Sequence, residues 1–356
     1  MEKIGLISSD RRFSLMRPSY IIVLALLLFI TLLHGLREVA TTQAASNSEN
    51  WDGEGVWAMS VILDGGVYKM WYTGFNSGVG SGNQIGYATS PDGVNWIKYP
   101  GNPVIGLGEP GDWDEYAAGQ PYVMKDGGVY KIWYWCWGNG YGQICYATSL
   151  DGINWTKNPN PVVPVGPEGS WDSAEIGGPS VLFDGLTYHM WYHGQNGPCC
   201  DNLQIGYANS TDGITWIKHP TPVLTWSTPD NWDDDFVSEP SVIVLNDTYY
   251  MWYLGNDGTG IHQTGLATST NGISWIKHPD PVLPIGDSGS WDEKSAAWPS
   301  VITGSLQMWY AGMNTADYFQ IGYATSLDGI IWTKSLRNPI LKPGTFRIFL
   351  PLILKN

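Results

Sequence analysis

The chain has 356 residues, a formal net charge of −15 and a pI near 4.6. That acidic balance repels phosphate backbones and excludes nucleic acid as an expected partner. Gly and aromatic residues are abundant, charged residues are few, and the body of the chain lacks apolar runs of helical period; this excludes a helical fold and fits an all-β protein rich in tight turns.

At the N-terminus, Lys3, Arg11, Arg12 and Arg17 give a basic start, and Ile21 to Leu33 form an apolar run short of a membrane span. Small residues follow, through Ala44 and Ala45. Residues 1–44 read as a signal peptide, with an uncleaved anchor as the alternative. Either way the remainder is expected to be secreted or extracytoplasmic.

From Trp51 onward the sequence repeats itself five times, with a period of about 60 residues. A Trp-Asp pair opens each unit, at Trp51, Trp113, Trp171, Trp232 and Trp291. A phrase of the form ATSxDGxxW closes each, ending at Trp96, Trp155, Trp216, Trp275 and Trp332. The spacing predicts a five-bladed β-propeller over residues 45–341, with four antiparallel strands per blade. The blades are placed at about 51–105, 113–163, 171–224, 232–283 and 291–341.

Within a blade, the first strand is expected after a Pro (Met59 in the first unit), as in SVIL or SVIV. The second is the MWY segment, the third is IGYATS, and the fourth starts at the closing Trp. The DGG and SxDGxxW turns then share one face and recur, so they read as scaffold. Loops between second and third strands, and those joining blades, share the other face and vary, so they read as the recognition face. Residues 342–356 fall outside the repeats and read as an extra edge strand or a docking segment.

Two glycine columns of the repeat become cysteine together in the second unit, at Cys136 and Cys145. Their neighbouring strands predict a cross-strand disulfide, in keeping with an oxidising compartment. Cys199 and Cys200 are adjacent and offer a vicinal disulfide or two free thiols.

What recurs is scaffold; what appears once is a candidate for function. Fifteen of the 20 tryptophans recur. The others, Trp57, Trp135, Trp137, Trp226 and Trp298, map to the variable face, where aromatic planes stack on sugar rings or mark protein interfaces. The residue before the first-strand Pro differs in every unit: Ala58, Gln120, Gly178, Glu239 and Trp298. Only Glu239 is acidic there, and a side chain at that point can reach the propeller axis. Glu54, Glu175 and Asp235 are further non-repeated acids. His193 and His262 are non-repeated and lie near the variable face, where a lone His reads as a hydrogen-bonding surface residue. The Asp233–Asp235 run offers oxygen ligands for calcium, but a solvated acidic loop is the simpler reading; no metal or other cofactor is expected.

The pattern of PSVI first strands, MWYTG second strands and IGYATSxDGxxW closings resembles the five-bladed propeller glycoside hydrolases, family 43 arabinanases and xylosidases and the family 32 and 68 fructan enzymes. The resemblance spans roughly residues 51–341. It implies an Asp before the first-blade Pro, a second Asp from the following blades, and a Glu in a Glu-Pro context. Glu239-Pro240 matches the last, and Glu175 matches more loosely. Ala58 stands where the first Asp is implied, and Gln120 is not acidic, so the inherited positions carry one carboxyl where glycosidic cleavage needs two.

Three readings follow. The first is a hydrolase with a displaced pair, Glu239 as acid and Glu54, Glu175 or Asp235 as base. The second is a non-catalytic carbohydrate-binding propeller, and the third a structural or adhesive exported protein. Carbohydrate is the expected partner, bound by a monomer through Trp57, Gln120, Trp135, Trp137, Trp226, Trp298 and His193.

Overall fold

The computed structural model describes residues 51–77, 82–197 and 202–344. The signal segment, Cys199, Cys200 and tail residues 345–356 lie outside the described residues. Among the described residues there are twenty strands and no helix. The first four are β1 (Gly55–Asp64), β2 (Val67–Phe75), β3 (Gln84–Ser90) and β4 (Ile97–Lys98). The second unit holds β5 (Ala117–Asp126), β6 (Val129–Gly138), β7 (Tyr141–Ser149) and β8 (Thr156–Lys157). The third holds β9 (Glu175–Phe183), β10 (Tyr188–Gln195), β11 (Gln204–Ser210) and β12 (Ile217–Lys218). The fourth holds β13 (Phe236–Leu245), β14 (Thr248–Asn256), β15 (His262–Ser269) and β16 (Ile276–Lys277). The fifth holds β17 (Ser295–Ile302), β18 (Leu306–Met313), β19 (Phe319–Ser326) and β20 (Trp332–Lys334).

Consecutive strands within a unit pair antiparallel, as β1–β2–β3–β4 do. Short parallel bridges join some units at one end, β19 to β1, β7 to β9 and β15 to β17, giving two mixed sheets.

The repeated letters hold this arrangement together. In the closing turn, Asp92 Oδ1 accepts the N–H groups of Val94 and Asn95 at 3.0 and 2.8 Å, and Ser90 Oγ accepts that of Gly93 at 2.9 Å. Gly93 sits at φ 75°, which a β-carbon disfavours. Asn271 makes the same turn with its amide oxygen, so the carboxylate there is a turn acceptor that an amide replaces.

The second-strand tryptophans are fully buried, and each indole donates to a turn glycine of another unit. Trp71 reaches Gly152 O at 2.8 Å, Trp133 Gly213 O at 2.9 Å, Trp191 Gly272 O at 2.8 Å and Trp252 Gly329 O at 2.9 Å. Trp309 donates to Gly93 O at 2.8 Å, tying the fifth unit back to the first. The Asp of each Trp-Asp pair is buried and accepts both a Lys from the fourth strand and a Tyr hydroxyl from the second. In the first unit these are Lys98 at 2.6 Å and Tyr72 at 3.0 Å.

The first strands depart from expectation. They begin before the Pro, at the fourth residue after the opening Trp, as at Glu175 and Phe236. Proline is tolerated inside them because each carries a bulge there, which interrupts the ladder where its missing N–H would be needed.

Cys136 and Cys145 form a disulfide. In the first unit a β-carbon at the equivalent Gly74 or Gly86 would lie 2.6 or 2.8 Å from Trp51, because that indole rests on both glycines and stacks on Tyr72. The third, fourth and fifth units repeat the Trp–Tyr contact, with ring centroids 5.6–5.8 Å apart. Among the described residues the second unit has no such ring contact between Trp113 and Tyr134, and the buried cystine occupies its core instead. The link closes a short loop, nine residues apart. Reduction should therefore lower unfolding free energy by about 2–3 kcal/mol. Urea titrations with and without a reductant measure this, and coincident midpoints would contradict it.

Candidate functional site

The five bulges put the pre-proline residue of every first strand in the left-handed region: Ala58 at φ 36°, Gln120 at 46°, Gly178 at 53°, Glu239 at 51° and Trp298 at 53°. For an L-residue this costs about 1–3 kcal/mol each, so the surrounding pairing must enforce it. All five residues line one axial cavity of about 770 Å³. The cavity walls below them are first-strand aliphatics such as Val61, Val123, Val242 and Val301. One backbone position thus presents five chemically different groups to a common space.

Glu239 is the acid of this ring. Its side chain is 11% exposed, and burial pushes its carboxyl up to about 8. The indole N–H of Trp298 pulls the other way, and the negative charge of Glu175 adds to the rise. Gln120 Nε2 donates to Glu239 Oε1 at 2.7 Å, and Gln120 Oε1 accepts the Gly178 N–H at 2.9 Å. His193 Nδ1 lies 3.8 Å from Glu239 Oε1. Burial drives that imidazole down to about 3, so it stands neutral beside the acid. A β-carbon on Gly177 or Gly178 would crowd Gln120, His193 and Glu239 at 2.5–2.9 Å, so the two glycines leave room that side chains would fill.

Glu175 opens β9 at the seam with the second unit, paired in register with Gly142. It is mostly buried, which raises its carboxyl above the ordinary range, and Gln195 Nε2 donates to it at 2.9 Å. The Trp135 indole N–H faces it without a hydrogen bond of normal geometry. Trp135 and Trp137 lie side by side, centroids 5.9 Å apart. Across the ring, Trp57 and Trp298 meet edge to face at 5.6 Å, and Phe319 and His262 pack on Trp298 at 5.4 and 5.5 Å.

The remaining sequence candidates fall elsewhere. Glu54 accepts the Ser77 N–H at 2.9 Å and its hydroxyl at 2.7 Å in an exposed loop, and it is not among the residues lining the cavity. Trp226 is half-buried ahead of the fourth unit; like Glu175, Trp57, Trp135, Trp137 and His193 it is not among the residues lining the axial cavity. The surface role read for the histidines is corrected. His193 is buried on β10, and His262 is largely buried between Phe236 and Trp298, where its imidazole is pushed down to about 4. Gln195, Gly177 and Thr73 are site residues the sequence reading did not name; Gln195 and Thr73 each differ from their counterparts in the other units, and that variation could have marked them. Among the described residues no group of three or more His, Cys, Asp or Glu is placed to hold a metal ion.

Two family models match the chain: β-1,4-mannooligosaccharide phosphorylase over residues 199–347 and the glycosyl hydrolase family 32 N-terminal domain over residues 40–173. Two uncharacterized proteins of Mycobacterium tuberculosis, MT1551 and Rv1502, are each 33% identical over 230 residues, covering 62% of this chain and 73% of theirs. A thermostable family-43 glycoside hydrolase superposes with a TM-score of 0.62 at 18% identity, over 81% of this chain and 96% of its own. The β-1,2-mannobiose phosphorylase of Listeria innocua does so with a TM-score of 0.62 at 13% identity, over 77% and 90%. The chain belongs to one family with the two mycobacterial proteins, and its two halves are similar to models of two glycoside-active families.

Proposed function

We propose that the chain is an exported, monomeric five-bladed propeller that cleaves a glycosidic bond of an uncharged oligosaccharide by acid–base catalysis, without a cofactor. The observation that carries this is the carboxyl pair, Glu239 and Glu175, with Glu239 held protonated near neutral pH. Glycoside cleavage needs one carboxyl group to protonate the leaving oxygen and a second, ionised, to activate water or attack the sugar. Burial raises both carboxyl groups, Glu239 to about 8, and Gln195 and Trp135 favour the ionised form of Glu175. Glu239 is the acid and Glu175 the base or nucleophile. Gln120 and the indoles of Trp135 and Trp298 supply hydrogen bonds and apolar faces for a sugar ring.

Nine of the described lysines are tied to aspartates. The groups around Glu239 are carboxyl, amide, neutral imidazole and indole, a set that repels a phosphate dianion and accepts hydroxyls. Water is therefore the acceptor favoured, although the relatives include phosphorylases. Export is supported by the basic–apolar–small N-terminal pattern and by the disulfide.

Assaying β-1,2- and β-1,4-manno-oligosaccharides, arabinan, xylan and fructan with and without inorganic phosphate tests the reading. Free sugar should appear without phosphate, and Glu175→Gln should slow its release by about 10²–10⁴-fold. Ala58 favours a second reading. It places an inert methyl where this superfamily is expected to carry its first Asp, and sugar binding without turnover of any substrate would select a non-catalytic carbohydrate-binding propeller.

A further inference from the structure

Gln120 stands between two partners that fix which way its amide faces. The Gly178 backbone N–H can only donate, so the Gln120 atom 2.9 Å from it is the carbonyl oxygen. The NH₂ end therefore meets Glu239 Oε1, at 2.7 Å. The amide donor on Oε1 disfavours a second hydrogen there and favours the proton on Oε2; the Trp298 indole N–H also faces this carboxyl. Oε2 is also the oxygen nearest the space a side chain at residue 178 would fill, 2.9 Å from where its β-carbon would stand. The same β-carbon would lie 2.7 Å from His193 Nδ1, so glycine is what lets the carboxyl and the imidazole approach this backbone closely.

The root of Gln120 is anchored as well. Its backbone N–H donates to Thr73 Oγ1 at 2.8 Å, and the Thr73 hydroxyl donates to Ala58 O at 3.2 Å. The bonds run from the first unit to Gln120 in the second and branch there to the third, at Gly178, and the fourth, at Glu239. His193 is 3.8 Å from the same Oε1, too far to replace the amide.

We infer that Gln120 is a positioning residue that steers the Glu239 proton onto Oε2, the carboxyl oxygen the amide does not engage, from which a leaving glycosidic oxygen would receive it. This rests on the reading of Glu239 as the proton donor. The step itself is balanced. The Oε2 proton passes to the leaving oxygen as the glycosidic bond breaks, and Glu239 is left as a carboxylate whose Oε1 still accepts from Gln120. The same amide thus serves both protonation states without turning over.

Two variants separate steering from packing. Gln120→Met keeps the length and loses both hydrogen bonds. Gln120→Glu keeps an acceptor for Gly178 but presents a second acceptor to Glu239 Oε1, which draws the proton to the wrong oxygen. Gln120→Met should lower kcat by about 10–100-fold with KM little changed. It should also move the alkaline limb of the kcat profile to higher pH, because an N–H donor favouring the carboxylate is gone. Gln120→Glu should be at least as slow, although it restores the bond to Gly178. If Gln120→Glu recovers wild-type rate, or Gln120→Met leaves the pH profile in place, the side chain merely packs and the inference falls. Isotope-edited infrared spectra of Glu239, assigned by difference against Glu239→Gln, give a readout free of turnover. The protonated carbonyl stretch should shift in Gln120→Met, because Oε1 loses its donor; an unmoved band overturns the inference. A shifted band in a protein that cleaves none of the glycosides upholds the steering and sinks the catalytic reading.

Discussion

Glu239→Gln should remove turnover and at the same time stabilise the protein at alkaline pH. The carboxyl titrates near 8 when folded, against 4.5 for an ordinary glutamate. Its folded value is raised, so its contribution to stability is complete below about pH 4.5 and is lost as the pH climbs toward about 8. Across that window the unfolded chain releases the proton while the folded chain still holds it. Above it, the folded protein carries a buried carboxylate. An amide of the same shape has no such charge to bury and can still accept the Gln120 N–H. The gain over wild type should be near zero at about pH 4 and reach about 3–5 kcal/mol at about pH 9. Turnover should fall by about 10²–10⁴-fold, the usual worth of a positioned proton donor. Urea unfolding of both proteins at the two pH values, beside rate measurements, checks the pair. An equal stability difference at both pH values would mean that Glu239 is not held neutral.

Asp52→Ala should be the most damaging change in the scaffold. Asp52 is buried and accepts from Lys98, Tyr72 and the Gly344 N–H. The Lys98 side chain is 2% exposed, so its ammonium cannot turn to water when the carboxylate goes. Breaking a buried pair by removing one partner costs about 3–5 kcal/mol, because the other charge stays behind. Asp114→Ala in the second unit is the control. Lys157 is 36% exposed and can be solvated, which leaves mainly the Tyr134 hydroxyl without its acceptor. That change should cost about 1–2 kcal/mol. Equal losses at the two positions would refute the role given to burial.

The strand content was legible because each repeated letter has a mechanical task. The second-strand Trp donates to a neighbouring turn, the Trp-Asp carboxylate anchors a Lys and a Tyr, and Ser and Asp build the closing turn. The starts of the first strands were not, since the Pro looked like a boundary and only the ladder reveals that it lies in a bulge. The pre-proline column could be found by its variation, but not its positive φ, which no residue type there announces except Gly178. Glu54 and Glu175 both lie ahead of the Pro position where the first strand was expected to begin, so the sequence left both as candidate bases. Glu54 comes three residues after its Trp, in a turn, and Glu175 comes four after, on the strand itself. One position of offset decides which side of the backbone a group occupies. His193 was misjudged because its strand end is roofed by Glu239 and Gln120, from units distant in the sequence.

The fivefold bulge has a consequence for how such a protein changes its diet. Five different residues, at 58, 120, 178, 239 and 298, hold the same left-handed backbone, so that conformation does not depend on any one side chain. Copies of an ancestral unit could each be rewritten at that one codon, and the assembled chain would hold a new palate without rebuilding a loop. The vocabulary is nonetheless restricted. Gly, Asn and Asp sit most easily in a left-handed turn, and Val, Ile and Thr are penalised there. A library confined to these five codons, with β-branched residues left out, would sample ligand preference while sparing the fold.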